Sequence, residues 1–294
     1  FEQIRGFGEY GFPESHAASF ALLVYLSAWL KCHEPAAFCC ALLNSQPMGF
    51  YAPSQLVQSA RRAGVEIRPV EVNHSAWDCT LEATADGQLA LRLGLRLVSG
   101  FGKAAGEQVV RQRCSQPYCN VQDLHERVGL TQQELGALAA AGALAGIAGH
   151  RHRARWAVAG AEPPLPVLPV LRIAEGIPLL RAPTEGQDIA ADYQSLGLTL
   201  GRHPLALLRT RLRRQGISTA IELQEARDEA RVQTAGIVTT RQRPASAGGV
   251  TFVTLEDETG YVSLIVWRQL AELQRRVLLE SRLLGVWGRV QRQG

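Results

Sequence analysis

Two hydrophobic periods divide the chain. As far as about residue 227, apolar residues recur at helical spacing, and from residue 230 onward they alternate with polar ones, as they do in strands. The pattern therefore predicts a multidomain α+β protein in which helices precede a β-rich region. Residues 15–31 are apolar on nearly all sides, and a helix of this kind is typically buried inside a larger body.

The β-rich region has an informative order. Strands are predicted at residues 232–241, 250–255, 261–267 and 283–291, with a helix over residues 269–279. Three strands, a helix and a further strand follow the order of an OB-fold barrel, which has five strands. We therefore assign residues 228–294 to a truncated OB-fold whose last strand is missing, as expected for a chain excised from a longer protein.

Short local signals set the elements before the β-rich region. Pro35 and Pro53 each open a helix, because the fixed φ of proline suits the first helical turn. Asn120 and Thr131 each cap a further helix. The dipeptide Asp86-Gly87 lies between two strand-like runs and predicts a tight β-hairpin.

The sequence Gly100-Phe101-Gly102-Lys103 ends an apolar segment and begins a helix. Glycine at positions 100 and 102 allows a positive φ and a close approach of the backbone to another molecule. The free N–H groups of the helix then favour an anion, and Lys103 adds a cation. This pattern resembles the helix-hairpin-helix motif, which holds a nucleic-acid backbone without reading bases. The alternative is a glycine-rich turn between two core helices.

A second basic segment, HRHRARW at residues 150–156, lies in the same helical region, residues 95–158. It falls where the helix of a second hairpin would begin, so the region is predicted to contain tandem hairpins. The alternative is a solvated basic turn. The candidate DNA contacts of this segment are Arg151, Arg153 and Arg155.

Prolines mark the next part of the chain. Residues 159–186 are predicted to form a semi-extended linker, because six prolines interrupt any helix or strand there. Residues 187–227 are predicted to form a helical connector to the barrel.

Composition favours phosphate or base recognition over other chemistry. The net charge is +4, and 29 of the 31 basic residues are arginines, since Lys31 and Lys103 are the only lysines. Arginine forks match phosphate geometry and stack on bases, although codon bias would also enrich arginine. The six cysteines contain no CxxC pair, so we interpret them as reduced core cysteines of a cytoplasmic protein and expect no metal site.

The sequence contains no convincing catalytic motif. It has no Walker A loop, no HExxH motif, no Rossmann fingerprint and no GxSxG elbow. The dense acidic cluster Glu256-Asp257-Glu258 is interpreted as a turn between two strands. No signal peptide is recognised, and the longest apolar stretch, residues 17–30, is too short to span a bilayer.

The barrel region combines aromatic residues with arginines, an arrangement suited to single-stranded nucleic acid. Any one of the aromatic residues could instead belong to the barrel core. The aromatic candidates are Phe252, Tyr261, Trp267 and Trp287, and the arginines chosen as DNA contacts are Arg241 and Arg243.

Several of these segments resemble one family. YGFPESHAASF at residues 10–20, followed by WLK at 29–31 and PAAF at 35–38, resembles the fingers segment of bacterial C-family DNA polymerases, the polymerase III α-subunit group. Three further segments are similar to its error-prone, damage-inducible branch. They are NSQPMGFY at 44–51, ARRAGVEIRP at 60–69, and the barrel stretch with RQRP at 241–244 and FVTLEDETG at 252–260.

The resemblance implies a parent enzyme that copies DNA past lesions with two Mg²⁺ ions. The palm aspartates that hold those ions would lie upstream of Phe1, so this C-terminal part would bind DNA without polymerising it. Residues 1–94 would be the distal fingers region, in which His16 and Lys31 would lie near the incoming nucleotide. Residues 95–158 would hold the primer–template duplex, and the barrel would meet single-stranded template.

The resemblance also implies protein partners. Segment 187–193, QDIAADY, is a poor match to the clamp-binding motif of replicative members, so contact with the sliding clamp would be indirect, through an accessory protein related to Y-family polymerases. An alternative function from another class is a non-enzymatic scaffold that binds this partner through the barrel and linker. A third is an independent repair or RNA-binding protein.

Overall fold

The computed structural model describes residues 14–49, 51–162 and 178–292, with backbone only for residues 14–16. Contacts divide the chain into two compact units, one ending at Leu200 and the other running from Gly201. The predicted connector, residues 187–227, is thus divided between them: its first helix belongs to the first unit and the others to the second.

The first unit is built mainly of helices. They are α1 (Glu14–His33), α2 (Pro35–Asn44), α3 (Pro53–Arg62), α4 (Lys103–Arg113), α5 (Val121–Val128), α6 (Gln132–Ala140), α7 (Ala145–Ala148), α8 (Arg151–Ala159) and α9 (Glu185–Ser195). Local signals set several of their starts, as predicted. Proline occupies the first turn of α2 and α3, and the side chains of Asn120 and Thr131 accept hydrogen bonds at the starts of α5 and α6.

A small sheet completes the first unit. Its strands are β1 (Ile67–Arg68), β2 (Thr80–Ala83) and β3 (Leu89–Arg92), in the order β1-β3-β2. The antiparallel pair β2–β3 is the predicted hairpin, and Gly87 takes a φ of +75° in its turn. β1 joins β3 in parallel, a pairing that the hairpin signal did not predict.

One continuous core joins the sheet to the helices that follow it. Leu43 of α2 and Leu91 of β3 are fully buried with Leu135 and Leu138 of α6. Burying such side chains contributes roughly 1.5–3 kcal/mol each, so helices α4 to α8 and the sheet form one stable body that can present a rigid surface.

Helix α1 is not buried within the described chain, contrary to the prediction from its pattern. Its apolar side chains are 42–68% exposed: Phe20, Leu22, Leu23, Val24, Tyr25, Leu26, Trp29 and Leu30. α1 contacts α2, its neighbour in sequence. The uniform apolar composition indicated that this helix is suited to burial, but it could not identify the covering surface.

The cysteines separate into two groups. Cys39, Cys40 and Cys79 are buried, and burial raises the pKa of the Cys39 thiol to about 12 and that of Cys79 to about 11. These three are reduced core residues, as predicted. Cys32, Cys114 and Cys119 are exposed, so the prediction that all six lie in the core is wrong for them.

Residues 163–177, within the predicted linker, lie outside the described residues. Before this range, Gln132 Nε2 donates to the Ala161 carbonyl at 2.8 Å, and Gln122 exchanges two hydrogen bonds with the Glu162 backbone. After it, the Leu180 carbonyl lies 3.2 Å from Nε2 of His150, the N-cap of α8. Both described ends of the predicted linker therefore contact the first unit.

The second unit contains a curled antiparallel sheet. Its strands β4 (Arg231–Gln242), β5 (Thr251–Glu256), β6 (Tyr261–Val266) and β7 (Leu283–Arg289) are ordered β6-β5-β4-β7 and form a half-barrel. Helices α10 (Pro204–Arg214) and α11 (Ala220–Glu225) precede the sheet. These four strands confirm the predicted OB-fold order.

One face of this sheet forms the second core. Val253 and Leu255 of β5 are each 1% exposed and pack with Ala271 and Leu278. The latter two belong to α12 (Arg268–Leu273) and α13 (Arg275–Glu280), which replace the single predicted helix. The break falls at Gln274, whose φ of −102° and ψ of 24° end the first helical segment. On the other sheet face, Phe252 of β5 and Trp287 of β7 are exposed.

Candidate nucleic-acid interface

The first hairpin turn lies just before α4. Gly100 adopts a φ of +77°, in the left-handed region that favours glycine. Phe101 is 6% exposed and anchors the turn in the core, and its N–H donates to the Val98 carbonyl at 3.2 Å. Gly102 has a φ of −83° and a ψ of 152°, an extended backbone that any residue adopts. The predicted positive φ is therefore confirmed at Gly100 and wrong at Gly102.

Helix α4 begins with open donors. Gly102, its N-cap, has no side chain to accept a hydrogen bond, and none of the described residues accepts one from the N–H groups of Lys103, Ala104 or Ala105. The Lys103 side chain is 68% exposed, and its Nζ lies 3.7 Å from Glu107 Oε1. Because so exposed an ion pair is weak, the ammonium and the helix end together offer an anion site.

A close contact with Trp77 fixes the orientation of α4. A Cβ at Gly106 would lie 2.4 Å from Trp77 Cε3, closer than real Cβ contacts. Glycine is therefore needed for α4 to pack this closely on the indole. This packing also fixes the first turn of α4, whose N–H groups face solvent.

Arg151 is enclosed by the protein and is not the free DNA contact that the sequence predicted. Its side chain is 13% exposed, and its guanidinium Nη1 lies 2.5 Å from Asp188 Oδ1 of α9. Nη2 binds Asp192, also of α9, and Nε donates to the Ala140 carbonyl at 2.9 Å. These contacts hold α9 against α6 and α8, so we leave Arg151 out of the interface.

The start of α8 is capped, unlike the start of α4. His150 Nδ1 accepts a hydrogen bond from the Arg153 N–H at 3.3 Å, and its Nε2 lies 3.2 Å from the Leu180 carbonyl. This pair of contacts requires the proton on Nε2. His152 Nδ1 lies 2.8 Å from the Arg181 carbonyl. One N–H group at the start of the second hairpin's helix is therefore bonded to a side chain, whereas α4 has no side-chain cap.

Arg153 and Arg155 remain on the solvent side of α8. Both are exposed, and neither forms an ion pair with the residues that the structure describes. The Arg153 side chain folds back over the preceding turn, since a Cβ at Gly149 would lie 3.8 Å from Arg153 Cδ. The second hairpin thus presents the guanidinium groups of Arg153 and Arg155 to solvent.

The solvent face of the half-barrel carries aromatic side chains. Trp287 is 80% exposed, Trp267 61%, Phe252 39% and Tyr261 37%, so all four predicted candidates lie on the surface. Exposed aromatic rings beside cations suit unpaired bases.

One of these rings lies beside two arginines. In the β4–β7 register, Trp287 is opposite Gln233 and Arg289 is opposite Arg231. Residues two apart on a strand share a face, so the four side chains form one surface, which we call the Trp287 face. With Val232 and Gly288 they line a shallow depression of about 400 Å³. Sequence reasoning missed Arg231 because its neighbour Trp287 is 56 positions later and only the strand register joins them.

The two arginines predicted as barrel contacts differ. Arg241 donates from Nε to the Leu278 carbonyl at 2.5 Å and from Nη2 to the Ser281 carbonyl. It therefore ties β4 to the end of α13 rather than standing free. Arg243 is exposed and has no hydrogen bond to the described residues.

The remaining predicted site residues are Lys31, His16 and the segment 187–193. Lys31 is exposed in the last turn of α1. His16 lies in α1, but its side chain falls outside the described residues. The segment 187–193 lies within α9, where Ile189 is 4% exposed.

The acidic cluster is structural, as predicted. Asp257 is 3% exposed and accepts hydrogen bonds from the N–H groups of Ala220, Thr259 and Gly260 at 2.7–3.0 Å. Arg209 of α10 binds both Asp257 and Glu258, and hydrogen bonding to Glu258 raises its pKa. Within the described residues no group of three or more His, Cys, Asp or Glu side chains could hold a metal ion.

None of the described helices combines the length and the apolar character needed to cross a bilayer.

Two family models match parts of the chain. Residues 64–154 match a helix-hairpin-helix motif, and residues 232–294 match an OB-fold nucleic acid binding domain. The first match contains the Gly100 turn, and the second contains all of the Trp287 face except Arg231. Both predicted domain types are confirmed.

Curated relatives match the whole chain. It is 61% identical over 294 residues to an error-prone DNA polymerase of Alkalilimnicola ehrlichii, covering 100% of this chain and 29% of the relative. A protein of the same name from Methylococcus capsulatus is 56% identical, with 100% and 30% covered. A third, from Pseudomonas paraeruginosa, is 54% identical, with 99% and 28% covered. The chain thus spans less than a third of the length of these relatives.

Proposed function

Because the chain belongs to the error-prone DNA polymerases but spans only 28–30% of the length of its relatives, we propose that it is the part of such an enzyme that holds DNA. In this proposal the parent is a DNA-directed DNA polymerase that acts in damage-induced translesion synthesis, as part of an SOS response. The chain itself supplies binding and positioning.

The observation that carries this proposal is the open start of α4. Three free N–H groups, the helix dipole and the Lys103 ammonium converge on one exposed point beside the Gly100 turn. Such a point attracts a phosphate and reads no base. It therefore suits a duplex that must be held in any sequence while the polymerase advances.

Two further surfaces would add contacts with DNA. Arg153 and Arg155 provide cations on the same unit, where they would contact a second stretch of backbone. In the other unit, Trp287 would stack on an unpaired base while Arg231 and Arg289 hold the adjoining phosphates. Arg243 would add a phosphate contact, and this surface would meet the single-stranded template.

Catalysis would come from other parts of the parent. Polymerisation needs two Mg²⁺ ions that stabilise the attacking and leaving oxygens, and in the acidic cluster at residues 256–258 Asp257 and Glu258 are bonded to Arg209 and Asp257 also to backbone N–H groups. We therefore propose that the Mg²⁺-binding aspartates lie outside the chain. We also propose that an accessory protein related to Y-family polymerases supplies the sliding-clamp contact, since segment 187–193 is held in α9.

A titration tests the DNA role. A fluorescent primer–template duplex is titrated with the wild type and with Lys103→Glu at several salt concentrations. A few phosphate contacts predict that log K falls with log[salt] with a slope of about −2 to −4, and loss of one contact should reduce the slope by about 0.9. Arg61→Glu, an equal charge change on the exposed end of α3, is the matched control and should leave the slope nearly unchanged.

The same titration would reject the assignment. Duplex binding that is undetectable at low salt contradicts the DNA role, and equal slopes for Lys103→Glu and Arg61→Glu contradict the assignment of the hairpin.

A scaffold role is a second candidate, supported by exposed apolar side chains on α12 and α13. Leu273 is 80% exposed, Leu279 56% and Leu270 49%, and clustered apolar exposure favours a protein partner. In this alternative, DNA contact is incidental and the barrel binds the accessory protein. Absence of duplex binding, together with loss of partner binding in Leu273→Asp, would favour it.

A further inference from the structure

Helix α8 presents an aromatic ring to solvent at the centre of its exposed face. Ala154 is 1% exposed and Val158 6%, so this side of the helix packs in the core, while Trp156 is 54% exposed. With 3.6 residues per turn, Trp156 projects from the side opposite Ala154 and Val158. The indole therefore stands on a helix whose position is fixed.

The surroundings of this ring are cationic. Arg153 lies one turn before Trp156 on the same face, and Arg155 lies at its edge. Helix α8 contains no acidic residue, and neither arginine pairs with an acid in the described ranges. We call the three residues Arg153, Arg155 and Trp156 the Trp156 face.

We propose that the Trp156 face binds an unpaired nucleotide of single-stranded DNA, with the base stacked on the indole and the flanking phosphates held by Arg153 and Arg155. This inference rests on the proposed function, since it takes DNA as the ligand of the first unit. It adds a single-strand site to a unit whose other contact is with duplex backbone.

The chemistry selects this ligand over others. A paired base has both faces covered by its neighbours, so a ring can stack only on a base that has left the duplex. His150 occupies the Arg153 N–H at the start of α8, and the exposed guanidinium groups of Arg153 and Arg155 supply the cations for the phosphates. Unpaired arginines beside an exposed ring complement an anionic strand with free bases and do not complement a basic or neutral surface.

The experiment compares two labelled probes, a blunt duplex and the same duplex with a single-stranded overhang, by fluorescence anisotropy at low salt. In the wild type the overhang should tighten binding. Trp156→Ala should weaken overhang binding about fivefold or more, as loss of one stacked base predicts, with blunt-duplex binding unchanged. Trp156→Phe should retain most of the gain. Because Trp156 is exposed, unchanged thermal unfolding of Trp156→Ala checks that it folds.

A matched control and a direct readout separate this site from the barrel. Trp287→Ala removes the exposed ring of the Trp287 face, and any loss that it causes should add to that of Trp156→Ala. Bromouracil placed in the overhang should crosslink to Trp156 on irradiation, as mapped by mass spectrometry.

Each outcome decides the matter. An overhang gain that is unchanged in Trp156→Ala, or crosslinks confined to Trp287, overturns the inference while leaving the duplex proposal intact, and the face is then open to a protein partner. Conversely, the blunt duplex could fail to bind while overhang affinity depends on Trp156. That result rejects the duplex contact at Lys103 and supports the single-strand site. Absence of binding to both probes overturns both.

Discussion

Arg92 and Glu82 form a two-pronged ion pair across β2 and β3, in which Nε lies 2.8 Å from Oε1 and Nη2 lies 3.1 Å from Oε2. Arg68 of β1 donates to the same carboxylate at 2.6 Å. The hydrogen bond from Arg92, opposed by burial and aided by Arg68, lowers the pKa of Glu82 from 4.5 to about 2. One carboxylate therefore joins all three strands of the small sheet.

This pair predicts a pH dependence of stability. A carboxylate with a lowered folded-state pKa stabilises the fold above its unfolded-state pKa, and that contribution is lost as pH falls from about 4.5 towards about 2. Glu82→Gln should be less stable than the wild type at neutral pH, and the difference should shrink across this window. Urea unfolding at several pH values measures it. Glu107→Gln, which removes only an exposed pair, is the control, and a pH-independent Glu82→Gln difference would contradict the linkage.

Replacement of Arg151 should destabilise the first unit. Arg151→Ala leaves Asp188 and Asp192 without their partner and should lower the free energy of unfolding by about 2–3 kcal/mol. The exposed neighbour Arg153 gives the control, since Arg153→Ala should change it by less than about 0.5 kcal/mol. Denaturant unfolding compares the two variants, and equal small effects would show that Arg151 does not hold α9.

Two helix glycines should respond to alanine with opposite signs. Gly136→Ala in α6 meets no atom within 4 Å in the described structure and should stabilise by about 0.5–1 kcal/mol, because alanine favours helix. Gly106→Ala in α4 places a Cβ 2.4 Å from the Trp77 ring and should destabilise despite that preference. Thermal unfolding gives both signs, and a stabilised Gly106→Ala would mean that Trp77 moves aside freely.

His125 of α5 offers a stabilising substitution. It is 6% exposed, and both ring nitrogens lack a hydrogen-bond partner among the described residues. Because buried unpaired polar groups are costly, His125→Leu should raise the free energy of unfolding by about 1 kcal/mol. His74→Leu, at an exposed histidine next to Glu71, should give no gain. A destabilised His125→Leu would indicate that the imidazole is paired after all.

The hairpin glycines should also differ. Gly100→Ala forces a side chain into the left-handed region and should cost about 1 kcal/mol, with weaker duplex binding. Gly102→Ala, at an extended residue with open space around it in the described chain, should be nearly neutral for folding. Paired unfolding and DNA titrations test this, and equal costs would contradict the assigned turn conformation.

Sequence reasoning succeeded where the signal is local. Pro35, Pro53, Asn120 and Thr131 set helix starts through their own backbone or side chain, and Asp86-Gly87 set a hairpin. The four strands of the half-barrel followed from alternation. In each case the residues that cause the structure lie within a few positions of it.

It failed where the partner is distant in sequence. Arg151 was predicted as a free cation because its acids, Asp188 and Asp192, come 37 and 41 residues later, beyond the prolines. Arg241 is held by backbone carbonyls that no sequence pattern marks. At such positions the sequence identifies the side chain, but tertiary packing determines whether that side chain is exposed or bonded within the protein.

The contacts at the two described ends of the proline-rich sequence have a practical consequence. Glu162 and Leu180 are both bonded to the first unit, so an insertion between them changes only the number of residues that join two fixed points. The entropic cost of joining two points by a chain rises slowly, by ~0.6 kcal/mol for each doubling of its length. A reporter peptide or affinity tag inserted between residues 163 and 177 should therefore leave the hydrogen bonds at Glu162 and Leu180, and the fold of each unit, intact.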